Sequence, residues 1–260
     1  MSNHIAVIVQ ARTSSSRLPG KVLAPLAGEP ALARMMERVA RVRGADWISV
    51  ATSSHASDDA IEQLCRDRTI ACVRGSLDDV LGRFVAAMPT GCDAVVRLTG
   101  DCPLVDPELV DQHIALYQQH YTSVQYVSNA VVRTYPDGLD VEVVSASLLR
   151  EAAVHAQTVA DREHVTPWIQ RRARQQSVGQ DVDLSALRWT LDTPADYEVL
   201  SQIYEHLYPS APEFGRNDVY RLLLAQPSLI HVAGSHPLEA AERAQWQARI
   251  ESHLATEASQ

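Results

Sequence analysis

Three cations, Arg12, Arg17 and Lys21, fall within one stretch of small, hydroxyl and glycine residues, Ala11-Arg12-Thr13-Ser14-Ser15-Ser16-Arg17-Leu18-Pro19-Gly20-Lys21, directly after the apolar run Ile5-Ala6-Val7-Ile8. A buried strand that opens into such a loop brings backbone donors and point charges around a polyphosphate, and the ligand it points to is a nucleoside triphosphate. Arginine offers a planar fork to phosphate oxygens, and lysine a mobile point charge. Surface charge is the competing reading, but it gives no reason for three cations to share one loop. The segment is not a Walker P-loop, because it lacks the Gly-Lys-Ser or Gly-Lys-Thr ending that opens a helix at once.

The elements that position this loop follow from hydrophobic periodicity. Short apolar runs alternate with stretches of helical period, as expected of βαβ units around a mainly parallel sheet. After the first strand, a helix from Pro30 places Leu32, Met35, Met36, Val39 and Val42 on one stripe, with Arg34, Arg38, Arg41 and Arg43 read as solvated surface. Strands are expected near Trp47–Ala51, Ile70–Val73 and Ala94–Leu98, and helices near Asp58–Arg68 and Asp78–Met88. Asp106-Pro107 reads as an N-cap with proline at the first helical position. Beyond Val124 the pattern changes. Tyr135-Pro136-Asp137-Gly138 is turn chemistry, and Leu139 to Val143 alternates as a half-buried strand would. Helix is expected after Asp161, with Trp168 and Ile169 available for packing, and a late strand at Arg188–Leu191. Thr193-Pro194-Ala195-Asp196 opens a capped helix, and the segment beyond Ser235 reads as an amphipathic helix with a frayed end.

At 260 residues and 46% hydrophobic content, the chain can bury a full core. Its net charge of −9 argues against broad binding to nucleic acid, whose affinity comes mainly from neutralised phosphates. Neither a basic leader near Met1 nor an apolar run of about 20 residues points to a membrane. Cys65, Cys72, Cys92 and Cys102 lack the close spacing of zinc or dithiol sites and suit small buried hydrophobes in a reducing cytoplasm.

The loop does not stand alone. Val73-Arg74-Gly75-Ser76-Leu77-Asp78-Asp79-Val80-Leu81, Arg97-Leu98-Thr99-Gly100-Asp101-Cys102-Pro103-Leu104-Val105-Asp106-Pro107 and Ser128-Asn129 follow in order. Then come Arg133-Thr134-Tyr135-Pro136-Asp137-Gly138-Leu139-Asp140-Val141-Glu142, Asp161-Arg162-Glu163-His164-Val165-Thr166-Pro167 and Trp189-Thr190-Leu191-Asp192-Thr193-Pro194. Together with the loop, these blocks resemble the cytidylyltransferase family over roughly residues 4 to 200. The similarity is to its spore coat polysaccharide branch, related to the acylneuraminate and 3-deoxy-manno-octulosonate cytidylyltransferases.

The resemblance implies an α/β fold, a Rossmann-like, mostly parallel sheet flanked by helices, of the nucleotide-diphospho-sugar transferase type. It implies one domain over 1–235, with an inserted acceptor-binding and dimerisation subdomain at about 129–175, and a C-terminal helix and tail over 236–260. Asp101 and Asp192 each end an apolar strand, where hard carboxylates suit a magnesium ion that bridges substrate phosphates. They could otherwise cap a turn and a helix. Arg12, Arg17, Lys21 and Asp101 would be catalytic, and Ala11, Thr13, Ser14, Ser53, Arg74, Ser76 and Thr99 would complete the nucleotide site. Ser53 and Thr99 could instead satisfy turns. For the acceptor the candidates are Asn129, Arg133, Tyr135, Asp137, Asp140, Glu142, Arg162, Glu163 and His164. Asp137 could belong only to its turn, and His164 to solvent or a subunit contact.

The implied reaction transfers CMP from CTP to a small-molecule acceptor, first of all an acidic sugar, and releases pyrophosphate. It needs magnesium and no nucleophilic side chain. The expected protein is a cytoplasmic homodimer with no membrane or nucleic-acid partner. A glycosyltransferase using a nucleotide sugar shares the layout, but would more typically show an Asp-x-Asp pair, which Asp101-Cys102-Pro103 lacks. A non-catalytic nucleotide-binding protein would have had little reason to keep Lys21, Asp101 and Asp192 together.

Overall fold

Continuous apolar character from Ile5 to Val9 makes the first strand, β1 (Ile5–Gln10), the inner strand of a sheet buried on both faces, as parallel sheets are. The computed structural model describes residues 4–232 and 238–258. In chain order, β1 is followed by a short hairpin of β2 (Pro25–Leu26) and β3 (Glu29–Pro30), then α1 (Ala31–Val39), β4 (Trp47–Ser53), α2 (Asp59–Asp67), β5 (Ala71–Gly75), α3 (Val80–Ala87) and β6 (Ala94–Thr99). Next come α4 (Pro107–His120), β7 (Tyr126–Ser128), β8 (Glu142–Ser145), α5 (Ala146–His155), α6 (Val159–His164), α7 (Pro167–Gln170) and β9 (Gln175–Ser177). The chain closes with α8 (Pro194–Leu207), α9 (Arg216–Ala225) and α10 (Ala240–Glu257).

Seven strands pair in the order β5-β4-β1-β6-β8-β7-β9. The first four are parallel, β8 runs antiparallel to both neighbours, and β9 is parallel to β7. After β1 the chain builds outward through β4 and β5, then returns to place β6 on the other side. The crevice beyond the carboxyl ends of β1 and β6 is therefore a topological switch point, where α/β sheets hold ligands. Alternate residues of β1 feed two cores: Ile5, Val7 and Val9 pack with α1, α4, α8 and α9, and Ala6 and Ile8 with α3, α5 and α7.

Several expectations are corrected. Arg34 and Arg38 are not solvated surface; they are 5% and 3% exposed. Arg34 donates to the carbonyls of Leu26 and Ala27 and lies over the Tyr208 ring, and Arg38 donates to the carbonyls of Val105 and Phe214 and lies over the Phe214 ring. The strand read at Leu139–Val143 begins only at Glu142 and is buried on both faces, since β6 and β7 flank it. Arg188–Leu191 is no strand. It is held by isolated bridges, Asp137 to Arg188 and Leu187 to Val232. The helix after Asp161 starts earlier, because Thr158 caps it, and breaks at Val165, whose φ is +69°. Cys65 of α2 and Cys72 of β5 are neighbours in space. Three of the four cysteines are buried. The helix expected beyond Ser235 is α10; residues 233–237 and the end of the tail, 259–260, lie outside the described residues. No helix among the described residues is long and apolar enough to cross a membrane.

Candidate active site

At the end of β1, the loop is fixed by its own backbone and by one carboxylate. Ser15 and Gly20 donate to the Thr13 carbonyl, both at 2.9 Å, which folds the segment back on itself. The Thr13 amide and hydroxyl donate to Asp58 Oδ1 at 2.8 and 2.7 Å, and Ser53 Oγ donates to Asp58 Oδ2 at 2.5 Å. Asp58 is fully buried, and although burial opposes its charge, these donors hold its carboxyl below the usual range. The loop thus hangs on the start of α2.

Two further backbone contacts bring the distant carboxylates to it. Gly100 follows β6 so closely beside β1 that a Cβ would lie 2.9 Å from the Gln10 carbonyl oxygen. Gly138, at φ +113°, lets the 135–138 turn lie against Trp189, where a Cβ would sit 2.5 Å from the Trp189 carbonyl carbon. Trp189 N donates to Asp137 O and Leu191 N to Asp101 O, each at 2.7 Å, so the segment carrying Asp192 is strapped beside Asp101.

Lys21, at the start of a 3-10 turn (Lys21–Leu23) and 8% exposed, places Nζ 2.6 Å from Asp101 Oδ2 and 2.5 Å from Asp192 Oδ1. Burial alone would lower its pKa, but the Asp101 and Asp192 carboxylates outweigh it and hold the ammonium above its ordinary value. Asp101 is the converse: burial would raise its pKa, and Lys21 brings it below the ordinary value. Asp192 Oδ2 also accepts from Arg17 at 2.8 Å and Arg188 at 3.0 Å.

These groups line a cleft of about 410 Å³. Of the expected nucleotide and metal residues, it brings together Ala11, Arg12, Ser14, Arg17, Lys21, Thr99, Asp101 and Asp192, with Glu163 and His164 from α6 on the opposite wall. Arg12 donates to Glu163 at 3.0 Å, which links the loop to α6. Other expected residues stand outside the lining. Thr13 and Ser53 spend their hydroxyls on Asp58. Arg74 braces the Ser53 and His55 carbonyls and pairs with Asp59 and Glu62, and Ser76 offers its carbonyl to Arg83.

The acceptor candidates form a second group. Asn129, 1% exposed, exchanges amide hydrogen bonds with Leu139 O and Val141 N. Arg133 pairs with Asp140 and Asp137, whose carboxyls burial pushes up. Tyr135 is 6% exposed and Glu142, also buried, is paired with Arg97. Arg162 is tied to Asp79 and the Ala153 carbonyl.

Sequence reasoning passed over Gln10, Asp58, Arg83 and Arg188. Arg83, 2% exposed, lines the cleft and holds the carbonyls of Ser76 and Leu77. Its one signal was a charge amid the apolar face of α3. Arg188 carries no signal beyond the strand pattern of Arg188–Leu191.

A family model described as Cytidylyltransferase matches residues 6–211. The chain is 34% identical over 237 residues to the spore coat polysaccharide biosynthesis protein SpsF of Bacillus subtilis, covering 86% of this chain and 96% of that protein. The chain belongs to the cytidylyltransferase family. This cytidylyltransferase is also similar in structure to a cytidylyltransferase from Leptospira borgpetersenii, with a TM-score of 0.83 and 28% identity over 92% of this chain and 100% of that one. A shorter match, 35% identical over 108 residues, is to the 3-deoxy-manno-octulosonate cytidylyltransferase of Anaeromyxobacter, covering 42% of this chain and 45% of that enzyme. The protein is thus a nucleotidyltransferase.

The donor chemistry of the cytidylyltransferase cleft fits the magnesium that the family resemblance implies. Asp101 and Asp192 present hard oxygens to a common point, which Lys21 Nζ fills with positive charge. Among the described residues no group of three or more His, Cys, Asp or Glu side chains is arranged to hold a metal. Two carboxylates, with water and phosphate oxygens for the rest, are what a substrate-bridging magnesium takes.

Proposed function

We propose that this cytidylyltransferase transfers CMP from CTP to an acidic sugar, with magnesium, and releases pyrophosphate. The observation that carries the reading is Lys21 held between Asp101 and Asp192 beside the arginines of the loop, at the switch point of the sheet. The acceptor class follows the 3-deoxy-manno-octulosonate named for one relative, and polysaccharide biosynthesis the name of another. CTP as donor and the four free thiols suit a cytoplasmic enzyme. The segment at about 129–175 is the acceptor side and the dimer contact.

Asp101 and Asp192 would hold magnesium, which when bound supplies charge neutralisation at the phosphates and favours the ionised acceptor hydroxyl. The loop amides and Arg12 receive the triphosphate, and Arg17 and Lys21 turn from the carboxylates to the phosphate oxygens. An acceptor oxygen attacks the α-phosphorus, a new P–O bond forms, and the bond to the bridging oxygen of the pyrophosphate breaks. The negative charge that develops on the leaving pyrophosphate lies against Arg12, Arg17 and Lys21. The acceptor proton passes to solvent.

Pyrophosphate release tests the reading, with CTP, UTP, ATP and GTP each offered with magnesium and a panel of acidic sugars and phosphonates. Release that requires CTP and an acidic sugar is expected. Equal release from all four nucleotides, or release with a phosphonate alone, would overturn it.

A further inference from the structure

Gln10 ends β1 on the sheet face that carries Ala6 and Ile8, and its side chain lines the cleft. Its Oε1 lies 3.2 Å from Nε of Arg97, on the neighbouring β6. A guanidinium only donates, so this contact fixes which end of the carboxamide faces Arg97: the oxygen. The Nε2 amino group is therefore the end left over, and among the described residues no protein group takes it up. Arg97 is itself held. Its NH1 pairs with Glu142, 3% exposed on β8, and Glu142 accepts in turn from Tyr126 of β7 and, at 3.5 Å, from Gln170 of α7. Four elements thus converge to hold one neutral amide in one orientation, with Arg97's charge already answered by Glu142.

Strand order says which part of the substrate pair this donor meets. Asp58 and the ends of β4 and β5 lie on one side of β1, and Arg97 turns Gln10 to the other, toward β6 and β8, where Arg97's own partner Glu142 stands among the acceptor candidates. Glu163 and His164 of α6 line the same cleft.

We propose that Gln10 is a specificity-determining residue for the acceptor, donating a hydrogen bond from Nε2 to an acceptor oxygen. The inference rests on the transfer of CMP to an acidic sugar proposed above. A charged or apolar group here would change what the cleft accepts. A carboxylate would keep the Arg97 contact but offer an oxygen where the acceptor presents one.

The test compares wild type with Gln10→Glu and Gln10→Met in pyrophosphate release, using 3-deoxy-manno-octulosonate and N-acetylneuraminate as probes at saturating CTP, together with direct CTP binding. The variants should raise the KM for the accepted sugar by about tenfold or more, the loss of one hydrogen bond to a charged partner, with Gln10→Glu the worse. In Gln10→Met, CTP affinity should stay within about twofold, because the Gln10 side chain bonds to Arg97 of β6 and to no residue of the phosphate loop. An unchanged acceptor KM in both variants, or an equal loss of CTP affinity, would overturn the role of Gln10 while leaving the reaction intact. Absence of wild-type turnover with either sugar, despite CTP binding, would overturn both.

Discussion

Two charged clusters in this enzyme use the same chemical groups in opposite ways. In the cleft, the carboxylates of Asp101 and Asp192 accept from Lys21 and Arg17, long side chains that a ligand can draw aside, while Arg188 on Asp192 is also tied to Asp137 and Asp196. Where α4 and α9 begin, the carboxylate of Asp106 accepts from the Leu109 amide at the start of α4 and the Arg216 amide at the start of α9, each at 2.9 Å. Arg216, buried, adds NH1 to the same carboxylate and NH2 to Glu257 of α10. Exchangeable partners leave a carboxylate free to serve a substrate, and backbone partners commit it to holding helices together. The difference teaches that the partner's mobility, more than the ion pair itself, separates a working site from a structural one.

The largest effect should come from Asp101→Asn. Turnover should fall by about 10²–10³-fold, as when one preorganised electrostatic contact is lost, while the thermal midpoint moves little because Asp192 still holds Lys21. A midpoint that fell in step with activity would break the contrast between the clusters. Asp106→Ala should do the reverse. It should lower unfolding free energy in urea by about 3 kcal/mol, since it takes from buried Arg216 one of its two carboxylate partners and uncaps α4, yet leave the specific activity of the folded enzyme near normal.

The helix that Asp106 caps also carries a pH signature. His113 of α4 is fully buried, with Nδ1 on the Leu109 carbonyl and Nε2 unpartnered, and burial lowers its pKa from 6.5 to about 4. Its folded-state pKa lies below the unfolded value, so its contribution is whole above pH 6.5 and is lost as pH falls toward 4. Between pH 7.5 and 5 that loss is about 2 kcal/mol, and His113→Gln should flatten this part of the urea-measured profile. The smallest effect belongs to Arg17→Ala. Arg17 is 62% exposed, so stability should hold within about 0.5 kcal/mol, whereas the KM for CTP should rise about tenfold through loss of a phosphate contact.

Much of the sheet was legible because β1, β4, β5 and β6 are apolar runs punctuated by helices, and the Asp106 and Thr193 caps announced α4 and α8. Strands β7 and β9 were not, at three residues each; Gln175-Gln176-Ser177 carries no apolar pattern and pairs only because β7 is already in place. Arg34 and Arg38 defeated a helix-face reading because their partners are carbonyls and rings brought from β2, the segment before α4 and beyond α8. In the cleft, the loop, Asp101 and Asp192 could be singled out from local chemistry. Asp58, Arg83 and Gln10 could not, since each matters through a contact that folding creates: Asp58 with Thr13 45 residues earlier, and Gln10 with Arg97 87 residues later.

Phosphorus NMR of a mixture of enzyme, CTP, magnesium and 3-deoxy-manno-octulosonate tests the central claim most directly. The account predicts that the three CTP resonances give way to one phosphodiester resonance coupled to the sugar and to inorganic pyrophosphate, in equal amounts. CTP that binds and persists beside the sugar, or decays to CDP and phosphate with no phosphodiester, would contradict it.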